Sequence, residues 1–195
     1  VRRRVGLIFQ DPDDQLFMPT VGRDVAFGPQ NLGLEGEALH LRVQQALDQV
    51  GMADRRDRPP SHLSLGERRR VALATVLAME PEVLVFDEPS ANLDPVARRE
   101  LAELTSTLGI TSIIVTHDLL YALELCPRAV LLDAGQVAAA GTTADLLADT
   151  DLLARHRLEL PRGVVLAGSQ PPASSPTKPT PGASGEPRLG TGSSE

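Results

Sequence analysis

The chain is 195 residues long, 42% hydrophobic, with a formal net charge of -7; this bounds it to one ordinary domain, or a domain with a tail, and argues against a general nucleic-acid footprint. Four Phe, one Tyr and no Trp leave the core to aliphatic side chains, and a lone Cys126 excludes an intrachain disulfide and a multi-cysteine metal site. No apolar run approaches the roughly 20 residues that cross a bilayer, and the basic start lacks the h-region of a secretory signal, so a cytoplasmic protein, soluble or peripheral, is the expectation.

In chain order, residues 5–9 form a short apolar run that predicts a strand stopping at Gln10. Residues 11–15 and 18–24 read as turn-rich connections. Residues 37–50 have helical spacing through Leu39, Val43, Ala46, Leu47 and Val50. A polar loop closed by two prolines follows, and from Ser64 the pattern becomes regular: a helix over about 65–79, a strand over 83–86, and a helix that runs to about Leu108 and stops at Gly109. Asp94 caps that second helix and Pro95 opens it. Residues 111–116 read as a further strand, 119–126 as a short helix, 129–141 as two strands around an Ala-Gly turn, and 142–149 as a final capped helix. Strands alternating with helices, with fully apolar strand runs, predict an α/β domain around a buried parallel sheet. Residues 169–195, rich in Pro, Ser and Gly and without apolar periodicity, are expected to be a disordered tail.

Four places carry chemistry. Ser64-Leu65-Gly66-Glu67 fits a capping box, in which the Ser64 hydroxyl and the Glu67 carboxylate each satisfy a free amide at the helix start. A capping box alone is only a well-made helix start. Gly66, however, sits where a glycine is poor for helix formation but lets amides approach an anion closely. Asp87 and Glu88 follow the apolar run of the middle strand, where open parallel sheets bind their ligands. Adjacent residues on an extended chain point to opposite sides, so one carboxylate can hold Mg²⁺ while the other faces an attacking water. Gln10 and His117 stand at two further strand ends. Each would be an ordinary loop residue by itself, but four such sites in one α/β domain do not read as independent accidents.

The ordered segments LIFQDP (7–12), LSLGE (63–67), LVFDEP (84–89), SANLDP (90–95) and VTHD (115–118) resemble the ATP-binding subunits of ABC transporters. The resemblance covers about residues 5–160. It implies a P-loop NTPase-like parallel sheet with a helical signature subdomain at about 16–80, the partial ABC ATPase domain extending to 168. QDPDDQLFMPTVGRDVAFGPQNLGL (10–34) and LLARHRLELP (152–161) further resemble the cobalt and energy-coupling-factor branch, whose members serve metal-ion or vitamin uptake. By this resemblance Gln10 is the Q-loop glutamine, Asp87 the Walker B aspartate, Glu88 the catalytic glutamate and His117 the switch histidine. Ser64, Gly66 and Glu67 belong to the signature that completes a partner's ATP site, and Ser90 and Asp94 to the D-loop. The implied cofactors are ATP and Mg²⁺, with no structural metal. The implied partners are a second ABC ATPase subunit, as a homo- or heterodimer, and membrane components that couple transport and bind the substrate, at the cytoplasmic face of the membrane; nucleic acid is not among them.

Three departures stand out. Leu65 replaces the glycine and Glu67 the glutamine of the usual LSGGQ. The third is larger: no G-x-x-x-x-G-K-[ST] phosphate loop occurs. Only one lysine exists, Lys178, and residues 1–177 contain none. In the resembled family that loop precedes the Q-loop, so the chain is expected to begin partway through the fold. Three other readings stay open: a truncated subunit that only completes a partner's site, a non-transport ABC ATPase, and a gene remnant.

Overall fold

The computed structural model describes residues 4–161 and 164. The expected tail at 169–195, with Lys178, lies outside the described residues. Strands β1 (Val5–Ile8), β2 (Val83–Asp87) and β3 (Thr111–Val115) form a parallel sheet in that order. Their register pairs Ile8 with Phe86 and Asp87 with Val115, so all three strands end on one edge. β4 (Arg128–Asp133) and β5 (Gln136–Thr142) make a separate antiparallel hairpin. Its turn residues Ala134 and Gly135 both have positive φ, 48° and 77°, the backbone of a tight type I′ connection.

Helices α1 (Val21–Asn31), α2 (Gly36–Gln49) and α3 (Leu65–Leu77) occupy the stretch between β1 and β2. They pack through Val21, Val25, Leu47, Val71 and Leu73, all fully buried. α3 also lies directly on the sheet: a Cβ added to Gly6 would come within 2.1 Å of the Val76 side chain, so only glycine lets helix and strand approach this closely. α4 (Pro95–Thr107) contributes Leu101 to the same core, beside Ile8, Leu84 and Phe86. α5 (Leu119–Leu125), α6 (Thr143–Ala148) and α7 (Thr150–Arg155) follow.

Among the described residues the Leu84 and Phe86 side of the sheet is covered, and Val5, Leu7, Ile113 and Val115 are exposed on the other. The structure corrects two expectations. The turn expected at 18–24 ends at Thr20, and α1 starts at Val21. Its sequence hides it, since Gly22, Gly28 and Pro29 all weaken a helix. Packing outweighs propensity here, with Val21, Val25 and Pro29 on the buried side and Gly28 pressed so close to Met79 that a Cβ would sit 2.7 Å from its sulfur. Finally, the helix at 143–148 is not the last, because α7 follows it with Asp149 accepting from the Leu152 amide.

Candidate functional site

The parallel register carries Gln10, Asp87, Glu88 and His117 to one edge of the sheet. Gln10 is the second residue past β1, and Asp87 closes β2. The two line one cleft of about 320 Å³, together with Asp11, Asp14, Arg69 and Asn92. A second cleft of about 340 Å³ is lined by Ser64, Gly66, Glu67, Arg70, Asn92 and Asp94. Leu65 and Asn92 border both, so the start of α3 and the loop between β2 and α4 form the divide between the two clefts.

Glu88 lies outside both linings. Its backbone is left-handed, with φ 45°, a conformation that costs a non-glycine residue on the order of 1–2 kcal/mol. Its amide still donates to the Val115 carbonyl at 2.8 Å, so the chain turns off the sheet at this residue. The carboxylate accepts from Thr116 Oγ1 and from the His117 amide, both at 3.0 Å, and lies 2.7 Å from His117 Nδ1. Glu88 is thereby held at its strand end by the next strand's end.

The His117 side chain is 80% exposed and that of Glu88 only 18%. The hydrogen bond to Glu88 and then its charge raise the His117 pKa above the ordinary imidazole value, outweighing slight burial. A raised folded-state pKa means that the ion pair stabilises the fold fully below the unfolded imidazole value and is lost as pH rises through the higher folded one. NMR titration of the His117 ring in this chain should therefore give a midpoint above about 6.5, and Glu88→Gln should bring it back down. An unshifted midpoint in the unsubstituted chain would mean that the contact does not form in solution.

At the start of α3 the capping box is formed: the Ser64 Oγ accepts from the Glu67 amide at 3.2 Å, and Glu67 Oε2 accepts from the Ser64 amide at 2.8 Å. Glu67 Oε1 takes a further bond from Arg55 at 3.3 Å. The hydrogen bond from the Ser64 amide, helped by Arg55, lowers the Glu67 pKa against the opposing effect of burial, so the carboxylate is charged, committed and partly neutralised. Gly66 has a packing reason as well, since a Cβ there would stand 3.0 Å from Ala97 on α4. Asp94 Oδ1 caps α4, accepting from the Val96 and Ala97 amides at 2.9 and 3.0 Å. Ser90 is buried instead of facing either cleft, and its hydroxyl donates to Asp118 Oδ2 at 3.3 Å.

The sequence reading missed Asp118 and Arg69. Asp118 accepts from Ser90, pairs with Arg98 at 3.0 Å and caps α5. An acid directly before an apolar helical run was the signal for the cap. Arg69 is one of three consecutive arginines, a run that looks solvated, yet it falls on the helix face of Ala72, Leu73 and Val76 and is buried.

Comparison with known proteins gives concordant matches. The family described as ABC transporter matches residues 1–91. A Streptomyces avermitilis protein named for an ABC transporter ATP-binding function is 65% identical over 163 residues, which are 84% of this chain and 62% of that protein. The energy-coupling factor transporter ATP-binding protein EcfA1 of Methanospirillum hungatei is 48% identical, over 83% of this chain and 60% of its own length. Among solved structures, cbiO1 of Clostridium perfringens, part of the ABC transporter complex cbiONQ, superposes with a TM-score of 0.70 at 39% identity, covering 83% of this chain and 66% of that one. The chain spans less than two thirds of the length of the curated relatives cited.

Proposed function

The chain belongs to the ABC transporter ATP-binding family, in its energy-coupling-factor and cobalt branch, and from that premise we propose that it serves a subunit that binds and hydrolyses ATP to drive uptake of a metal ion or vitamin. The observation that carries this reading is the convergence of Gln10, Asp87, Glu88 and His117 on one edge of a parallel sheet, beside a helix start capped by Ser64 and Glu67.

The donors at that edge fit Mg²⁺·ATP. Gln10 and Asp87 line one cleft and offer an amide oxygen and a carboxylate, the hard ligands that Mg²⁺ takes alongside water and substrate phosphates. Held by these two side chains, Mg²⁺ would supply charge neutralisation to the phosphates. Glu88 polarises the attacking water, and for this one of its bonds to Thr116 or His117 has to yield. His117, exposed on the same edge, contacts the γ-phosphate. Ser64 and Gly66 complete the site of a partner ATPase subunit, and the D-loop residues Ser90 and Asp94 hold the intervening loop. The Arg55 bond to Glu67 accounts for a glutamate being tolerated in the signature. The direct test is saturable, Mg²⁺-dependent phosphate release by the domain once it is joined to a phosphate-loop segment.

No described helix is long and apolar enough to cross a membrane. The transporter reading itself places the protein peripherally, at the cytoplasmic face, against a membrane-embedded partner. The docking element is the segment after Gln10. Gln15 anchors it to α3 through Ala72 and Thr75, both at 2.8 Å, and Asp24 Oδ1 accepts from the Phe17 and Met18 amides at 3.0 Å. Leu16 turns into the core. Phe17, 64% exposed, stands edge-on to Phe27 with ring centroids 5.0 Å apart. A rigidly presented aromatic pair with a methionine beside it suits a partner interface. Phe17→Ala should abolish co-purification with the membrane partner while leaving the thermal midpoint unchanged. Lost stability with the partner still bound would return Phe17 to a purely structural role.

A further inference from the structure

We infer that Arg69 is a positioning residue for Glu88, fixing the loop from which that carboxylate projects. This rests on the catalytic reading of Glu88. Arg69 is 5% exposed, and among the described residues no carboxylate lies within ion-pair distance of it. Its guanidinium donates instead to main-chain carbonyls of a single loop: to Glu88 at 3.0 Å through Nη1, to Pro89 through the same nitrogen, and to Ala91 at 2.5 Å through Nη2. The loop it holds is bracketed by two left-handed residues, Glu88 with φ 45° and Asn92 with φ 60°.

The chemistry of the clamp is specific. A buried cation without a counter-charge is costly, and carbonyl dipoles return less than a carboxylate would. Gathering three carbonyls within four residues needs a planar fork with several fixed donors, which arginine has and lysine lacks. A loop left to itself would relax the strained backbone at Glu88. With the Glu88 and Pro89 carbonyls pinned from α3, the carboxylate stays within reach of Thr116 and the His117 amide. Arg69 also lines the cleft of Gln10 and Asp87, so one side chain fixes the Glu88 loop against the wall facing the proposed Mg²⁺ ligands.

Two measurements test this. In the 195-residue chain, hydrogen exchange is followed at the His117 amide, which donates to the Glu88 carboxylate, and across the amides of α3. Arg69→Gln should speed exchange at His117 about 10- to 100-fold while the middle of α3 stays protected; a purely structural role would release both together. In the domain joined to a phosphate-loop segment, Arg69→Gln should lower kcat by about 10- to 100-fold with KM for ATP little changed, and Arg69→Lys should recover part of the loss. Unchanged exchange at His117 in a folded variant, or kcat within about twofold of the parent, overturns the inference. Should Arg69→Gln fail to fold, Arg69→Lys is read by the same two criteria. Absence of phosphate release with Arg69 in place counts against the proposed function, and the exchange measurement, made on this chain, still decides the role of Arg69.

Discussion

The 195-residue chain by itself is expected to bind ATP no better than millimolar. The cleft beside Gln10 is lined by three carboxylates, from Asp11, Asp14 and Asp87, against the single guanidinium of Arg69. That guanidinium is committed to the carbonyls of Glu88, Pro89 and Ala91. A polyphosphate would therefore meet net negative charge with no free cation, and the sequence supplies no phosphate loop and no lysine before Lys178. Hydrogen bonds to charged groups are each worth about 1.5–3 kcal/mol, so a site short of several of them loses orders of magnitude in affinity. Isothermal calorimetry with Mg²⁺·ATP is the measurement. A micromolar dissociation constant for this chain would show that the described residues hold the phosphates without a lysine.

Once a phosphate-loop segment is supplied, Glu88→Gln should abolish turnover while leaving ATP binding in place. Glutamine keeps the shape of the side chain and an oxygen that can still accept from Thr116 or the His117 amide, so the left-handed loop at Glu88 should survive. What it loses is the charge that, on the proposed reading, polarises water. Removing one such catalytic group costs about 10²–10⁴ in rate. The paired readouts are steady-state phosphate release and calorimetric ATP affinity. A variant that retains more than about half of the parent kcat would assign Glu88 to structure alone.

The elements that carry the candidate site were easier to read from the sequence than the packing around them. Asp87 and Glu88 end an unbroken apolar strand run, Ser64 and Glu67 have capping-box spacing, and Asp94-Pro95 opens a helix; each is a local signal, and each element forms where it was expected. α1 was invisible because its evidence is tertiary: two glycines and a proline weaken the helix locally, and packing against α2 and α3 stabilises it. Ser90 illustrates the same limit. Its motif places it in the D-loop, but its hydroxyl is buried against Asp118, a residue with only a capping signal of its own. Arg69 shows the reverse, since its helical spacing with Ala72 and Val76 carried the information while its charge concealed it. The side of the sheet that is exposed among the described residues follows from the same distinction, because an apolar strand sequence states that a face can be buried, not what buries it.

Phosphate release by the domain joined to a phosphate-loop segment decides whether this edge of the sheet hydrolyses ATP. The expected result is release that saturates with ATP, requires Mg²⁺ and disappears with Glu88→Gln. A folded domain that binds ATP yet releases phosphate no faster than its Glu88→Gln variant would contradict it.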